Sequence, residues 1–417
     1  MRNSYFLYTV VLLLLAVQSA GSQELNIHGF VEGAYGVRVD DNDLLEGSEF
    51  PLGEARTQLQ LSHYGESAEF YGAVDFIGDQ VDRDAQNLNI REAYMQFRLG
   101  KYMDAKVGRQ VLTWGTGDLL FINDIFPKDY QSFFIGREDQ YLKLPNDALR
   151  VRFFTGPVNI DVVGIPFFDP DRLPTGKRLS YFNPLANGTV GVSNLPAPMN
   201  PERTFDNAEA AVRLYRYLGN YQVSGYVFRG FYKDPMGVEP FAGYTYYPEL
   251  SVYGSSLRGA LLSGVLSAEY GYYDSREDGS GDDPMIPNSQ HRYLVGYERQ
   301  WWSDFTLGLQ YYGEYMVDHD TYTGTLPQGA PELDELRQVV TARLTQMLHY
   351  QTVTLSLFTF VSPTDEDWHL RPNVSYKFSD QVTLALGGNL FGGEDVYTLF
   401  GQFEENNNIY TRFRYNF

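Results

Sequence analysis

Cysteine is absent from this 417-residue chain. That excludes a disulfide framework, a thiolate metal centre and a covalent haem attachment. Histidine is scarce, and His28, His63, His291, His319, His349 and His369 are all there is. None stands in an H-E-x-x-H pair, and no G-x-S-x-G elbow occurs, so the common hydrolase signatures are missing. The chain reads as a non-enzyme without cofactor or metal. The acids between 274 and 283 lack the spacing of a calcium loop and read as solvated surface. Basic charge is in deficit, with 32 Lys and Arg against 53 Asp and Glu. The net charge of −21 excludes a nucleic-acid partner, which would select a basic surface. Beyond the N-terminus no uncharged apolar run approaches the length of a membrane helix.

What is present begins with an export signal. Arg2 precedes an apolar run over residues 6–17, and Ala20-Gly21-Ser22 fits a small-residue cleavage site. The expected organisation is a signal peptide over 1–22 and one domain over 23–417. Aromatics make up 16% of the chain, with 33 tyrosines and 28 phenylalanines.

The deciding pattern is a period of two. Leu59 and Leu61 alternate with Gln58 and Gln60; Leu149, Val151 and Phe153 alternate with Arg150 and Arg152; Leu307 and Leu309 alternate with Thr306 and Gln310. Such segments have one apolar and one polar face as strands and none as helices. Tight turns near 65, 100, 156, 219, 303 and 379 alternate with longer polar stretches at 40–53, 81–87, 113–146, 167–205, 232–248, 274–288, 319–332 and 392–406. This layout predicts an all-β, transmembrane, antiparallel up-and-down β-barrel. It has about 18 strands, short periplasmic turns and long extracellular loops. The regions 250–262 and 346–366 are poorly punctuated. Tyr64, Phe97, Tyr217, Trp301, Trp302 and Phe378 beside the short turns read as an interfacial girdle.

An 18-strand barrel is too wide for strand side chains alone to fill, so apolar faces should meet lipid and polar faces the lumen. The expected pore-lining residues are Arg98, Arg150, Arg152, Arg213, Arg337, Arg343, Arg371, Arg412 and Arg414, with Glu92 and Glu298 among them. Rings of arginine favour anions; pairing with Glu92, Glu209, Glu298 and Glu314 would instead stiffen the wall. The stretch 113–146 is too apolar for bulk water. It is expected to fold inward as a constriction, with Trp114, Asp118, Phe121, Lys128, Asp129 and Arg137 carrying it. The Pro-rich stretch 167–205 reads as a long extracellular loop.

The final strand places Thr411, Phe413, Tyr415 and Phe417 on one face and Arg412, Arg414 and Asn416 on the other. An alternating aromatic strand ending in Phe417 resembles the signal read by the outer-membrane assembly machinery. Over 23–417 the chain resembles outer-membrane porins. That resemblance implies a channel in the cell outer membrane for small hydrophilic solutes, anions included, with lipid and solutes as its partners. The run Val107-Gly108-Arg109-Gln110 followed by Trp114-Gly115 is similar to alginate-export-type 18-stranded barrels, which implies carriage of a polyanion; a plugged transporter or exporter of a polyanionic or apolar substrate is the alternative. A barrel in a multi-protein conduit, with a periplasmic or haem-protein partner, stays open beside it.

Overall fold

A computed structural model describes residues 25–45, 49–83, 85, 87–193 and 195–417. The signal peptide at 1–22 lies outside the described residues. Eighteen strands close into one antiparallel barrel. In chain order they are β1 (Asn26–Arg38), β2 (Leu52–Tyr64), β3 (Ala68–Asp79), β4 (Leu88–Arg98), β5 (Met103–Val111), β6 (Pro145–Phe154), β7 (Asn159–Ile165), β8 (Glu209–Leu218) and β9 (Tyr221–Phe231). They continue as β10 (Glu249–Leu261), β11 (Gly264–Ser275), β12 (Gln290–Trp302), β13 (Phe305–Met316), β14 (Leu336–Leu348), β15 (Val353–Ser362), β16 (Asp367–Lys377), β17 (Val382–Gly393) and β18 (Asn408–Asn416). Each strand pairs with its neighbour in sequence, and β1 closes the ring by pairing with both β2 and β18. Closure leaves no free sheet edge, and the strand ladders pair the backbone polar groups inside the protein, as hydrocarbon requires.

The period of two sets the two faces. Val31, Val107, Leu149, Val295, Leu309 and Phe413 point outward and are 45–54% exposed; lipid covers them. Their neighbours Glu32, Arg56, Gln58, Asp75 and Asp161 point inward and are buried. At the short-turn rim Trp302 stacks on Phe305 with centroids 4.0 Å apart, and Tyr64, Tyr217 and Phe378 are exposed beside it. Amphipathic rings suit that depth, where one end meets hydrocarbon and the other water.

Two features depart from the sequence reading. The unpunctuated regions contain turns built without glycine. Leu262 and Ser263 both adopt positive φ in the two-residue β10–β11 turn, as do His349, Tyr350 and Gln351 between β14 and β15. These are left-handed turns of the kind glycine or asparagine normally mark, so composition did not reveal them. The outer connection 363–366, with Glu366 at positive φ, is also short. Three of the long connections run 112–144, 166–208 and 394–407 rather than 113–146, 167–205 and 392–406.

The second departure concerns the lumen. The inner face is not polar throughout. Val163, Ile165, Ala211, Tyr226, Phe228, Val252, Leu294, Val339, Phe358, Phe360 and Phe391 are buried there. They form one apolar cluster with Leu112, Trp114, Ile122, Phe126, Phe133, Phe134, Ile135 and Leu142 of the third outer connection. A barrel too wide to be filled by its strands is here filled by a loop.

Candidate pore constriction

The third connection, 112–144, leaves β5, crosses the bore and returns to β6. Its middle is a short helix, Tyr130–Phe134, capped by Asp129, whose Oδ1 accepts the Ser132 N–H at 2.8 Å. Phe134 packs against Phe403 (4.6 Å) and Phe391 (5.7 Å), and Phe133 against Phe360 (6.0 Å) and His369 (5.6 Å). Trp114 lies 5.2 Å from Phe126 and 5.9 Å from Tyr226. Burial of aromatic area on this scale supplies the main docking energy. Gly136 ends the helical stretch at φ +83°, and a Cβ there would strike the Tyr410 ring at 2.1 Å. Only glycine lets the backbone pass so close to the wall.

Polar latches then fix the segment to opposite walls. The Glu269 carboxylate on β11 accepts the Thr116, Gly117 and Asn123 backbone N–H groups and the Asn123 side-chain amide. Asp118 pairs with Arg343 on β14 (Nη2–Oδ1 2.8 Å), and its N–H donates to Gln310 at 3.1 Å. Arg137 bridges to Glu54 on β2 (Nε–Oε2 3.0 Å). Asp139 pairs with Arg371 at 2.8 Å, and Glu138 with Arg414 at 2.6 Å. Arg91, the extra residue of a bulge in β4, donates to the Gln140 carbonyl. Tyr141 takes the Arg56 guanidinium over its ring at 4.1 Å. These contacts span strands from β2 round to β18.

The arginines foreseen for the bore all stand on inward positions, but most have acidic partners of their own. Arg150 pairs with Asp161, Arg152 with Asp104 (3.2 Å), Arg337 with Asp365 (2.5 Å) and Arg414 also with Glu32 (2.7 Å). Their partners are not Glu92, Glu209 and Glu298. Glu92 accepts the Val111 N–H at 3.0 Å, and Glu209 holds Lys233 at 2.6 Å. Among the described residues Arg98, Arg213 and Arg412 make no ion pair; Arg213 donates to Ser224 at 3.3 Å and lies over the Tyr215 ring. Arg109 stands outside the bore, pairing with Asp147 at 3.3 Å.

Within the segment, Lys128 and Asp129 present no free charge to a channel. Both are buried, Lys128 against Asp124 at 3.2 Å and Asp129 against Arg172 of the fourth connection at 2.8 Å. Phe121 is half-buried under the Lys128 ammonium. Glu269, Glu54, Arg91, Glu138 and Asp139, none singled out from sequence, hold the segment instead. Parity along each strand was the available signal for the first two; their partners lie more than 80 residues away. Among the described residues no group of three His, Asp or Glu is placed to hold a metal ion.

The outer side of the segment meets the fourth and fifth connections at a carboxyl pair. Asp171 accepts the Lys128 N–H at 2.6 Å. Desolvation raises the pKa of Asp171 and Asp234 above the usual carboxylate range, and Asp234 raises Asp171 further; Lys128 offsets part of this in both. Burial likewise lowers Lys128, against the pull of Asp124. The docked carboxyl pair therefore holds protons that released loops would lose. The contribution of this carboxyl pair to docking is full below the ordinary carboxylate range and is lost as pH climbs through the raised values. The latches through Glu54 and Asp139 need ionised carboxylates and contribute only above the pKa of each; at Asp139 desolvation is outweighed by Arg371, which lowers that pKa. Single-channel recordings should show more frequent opening noise at alkaline than at acidic pH, and Asp234→Asn should flatten that dependence. A pH-independent wild type would contradict this.

An 18-stranded closed barrel with an apolar outer belt, aromatic rim and inward loop is an outer-membrane barrel of the porin type. A family model described as "Protein of unknown function (DUF1302)" matches residues 38–154, which include the whole inserted segment. No curated protein matches the chain. Among solved structures it is similar to OccAB3 of Acinetobacter baumannii, at 9% identity and TM-score 0.55, over 94% of this chain and 99% of that one. It is also similar to Salmonella typhi OmpF in complex with daunomycin (8%, TM-score 0.48, 95% and 98% covered) and to a mutant of the Rh. blastica porin (11%, 0.45, 94% and 100%). At such identities the likeness is one of fold.

Proposed function

We propose that this barrel is a channel for small hydrophilic solutes that favours anions, with 112–144 as its constriction. One observation carries the preference. On the inner faces of β3 to β8, below the outer rim, Arg98, Lys106, Arg150, Arg152 and Arg213 outnumber their acidic neighbours Glu69, Glu92, Asp104 and Asp161. Lys106 sits over the Tyr94 ring at 3.6 Å without an ion pair. The wall beneath the constriction thus keeps uncompensated positive charge within a protein that is acidic overall. Acids concentrated in the outer loops do not cancel it at that depth, because water and salt screen charges over about 10 Å. On the same reading the β18 strand ending in Phe417 serves recognition by the assembly machinery.

Reversal potentials across planar bilayers in a salt gradient test the proposal. Wild-type protein should favour chloride over potassium. Replacing Lys106 and Arg213 together by glutamine should lower that ratio by roughly two- to fivefold, the scale of a charge at contact distance in water. A folded barrel that conducts nothing, or that favours cations, would sink it.

A further inference from the structure

Beneath the tip of the inserted segment lies a chamber of about 300 Å³. Its floor is set by register. In one row Arg258 stands beside Ser267, Ser267 beside Gly296, Gly296 beside Gln310 and Gln310 beside Thr341. One step toward the periplasm the row runs through Glu298, Gly308 and Arg343. Small residues between the charged ones hollow the wall. A Cβ on Gly308 would lie 3.6 Å from the Glu298 carboxylate, so its absence leaves that group open.

The roof removes two groups from use. Asp118 neutralises Arg343, and Gln310 is occupied by the Asp118 N–H. Arg258 and Glu298 remain. Both are exposed to the chamber, and among the described residues neither side chain makes an ion pair or hydrogen bond. Two strand spacings separate them laterally and two residues axially, so their Cα atoms lie roughly 12 Å apart. Both side chains line the same chamber.

We propose that this chamber binds a small zwitterion of the amino-acid class, its carboxylate on Arg258 and its ammonium on Glu298; this rests on the channel reading and narrows its solute. A lone arginine would accept any anion. The free carboxylate beside it repels a simple anion and rewards a solute that carries both charges, so specificity comes from the repulsive partner as well as the attractive one. The volume is at the lower end of small-molecule sites, which suits a solute of this size.

Swelling of proteoliposomes containing the full barrel reads the chamber directly, with glycine as probe and glycolamide as its uncharged match. Wild-type protein should pass glycine faster than glycolamide. Arg258→Gln and Glu298→Gln should each slow glycine by roughly fivefold and leave glycolamide unchanged. Heat-modifiable gel migration verifies that each variant is folded. Equal wild-type rates for the two solutes would overturn the zwitterion site while leaving the channel intact. So would an effect of Arg258→Gln without one of Glu298→Gln, which marks a plain anion site. Folded barrels that pass neither solute nor salt would overturn the channel reading and the chamber with it.

Discussion

Glu269→Ala is expected to free the tip of the inserted segment and to raise both the conductance and the noise of single channels. Glu269 is 5% exposed on the inner face of β11. Its carboxylate takes the Gly117 N–H at 2.7 Å, the Asn123 N–H at 3.2 Å and the Asn123 side-chain amide at 2.8 Å, and the Thr116 N–H as well. Alanine leaves the three backbone donors without an acceptor, while the Asn123 amide keeps the Ser255 and Tyr270 carbonyls at 3.2 and 3.3 Å. Each unmet buried donor costs about 1–3 kcal/mol, so even with water entering the space the tip loses several kcal/mol of docking. The barrel itself should survive, because its ladder of backbone hydrogen bonds does not pass through Glu269's carboxylate. Glu269→Gln should fall between, since its amide nitrogen points a donor at donors. An alanine variant with wild-type conductance and wild-type noise would show that the aromatic contacts alone hold the tip.

Most of the barrel was legible because its physics is local. A strand whose faces meet lipid and water must alternate, and Leu149-Arg150-Val151-Arg152-Phe153 states that within five residues. Turns with Gly156 or Gly219 likewise announce themselves. The β14–β15 turn does not, because His349, Tyr350 and Gln351 take left-handed conformations that composition gives no hint of. There the neighbouring strands impose the turn on residues that would not choose it.

The inserted segment was legible in part for a different reason. That residues 113–146 are too apolar for water follows from Trp114, Phe121, Phe126 and Phe133 alone. What receives them does not. Phe358 and Phe360 alternate with Thr359 and Val361 just as lipid-facing residues would, and only the register shows Phe360 turned toward the lumen beside His369. An aromatic on the inner face of a wide barrel has no reason to be there unless something folds onto it. The polar latches are harder still. Lys128 looked like a free cation at a pore, yet Asp124 and nearby carbonyls take its three donors. Glu54 carried no signal of its own in the sequence beyond strand parity, yet it is where two loops are anchored.

That anchor yields the second large effect. Glu54 lies under three guanidinium groups: Arg56 at 3.2 Å, Arg178 of the fourth connection at 3.4 Å and Arg137 of the inserted segment. Arg56 also has Asp75 at 2.9 Å, and Arg178 also has Asp79. Arg137 has little else, only the Ser132 hydroxyl at 2.8 Å and Asp129 at 4.0 Å. Burial alone would lower the Arg137 pKa, and Glu54 more than reverses this. Glu54→Ala therefore strands one buried cation, a loss of about 3–5 kcal/mol when a partner is removed from a buried pair. The root of the segment and the base of the fourth connection should both loosen, seen as new protease cleavage in 112–144 and 166–208 on intact cells and as a lower thermal transition of the purified barrel. Arg137→Ala in the same protein should recover part of the loss, because no unpaired charge then remains; partners in contact couple by roughly 0.5–3 kcal/mol. If the double variant is as unstable as the sum of the two single ones, the pair acts through packing and not through charge. The comparison with Glu269 then separates two controls on the pore: a tip that sets how wide it stands and a root that sets whether the segment stays inside.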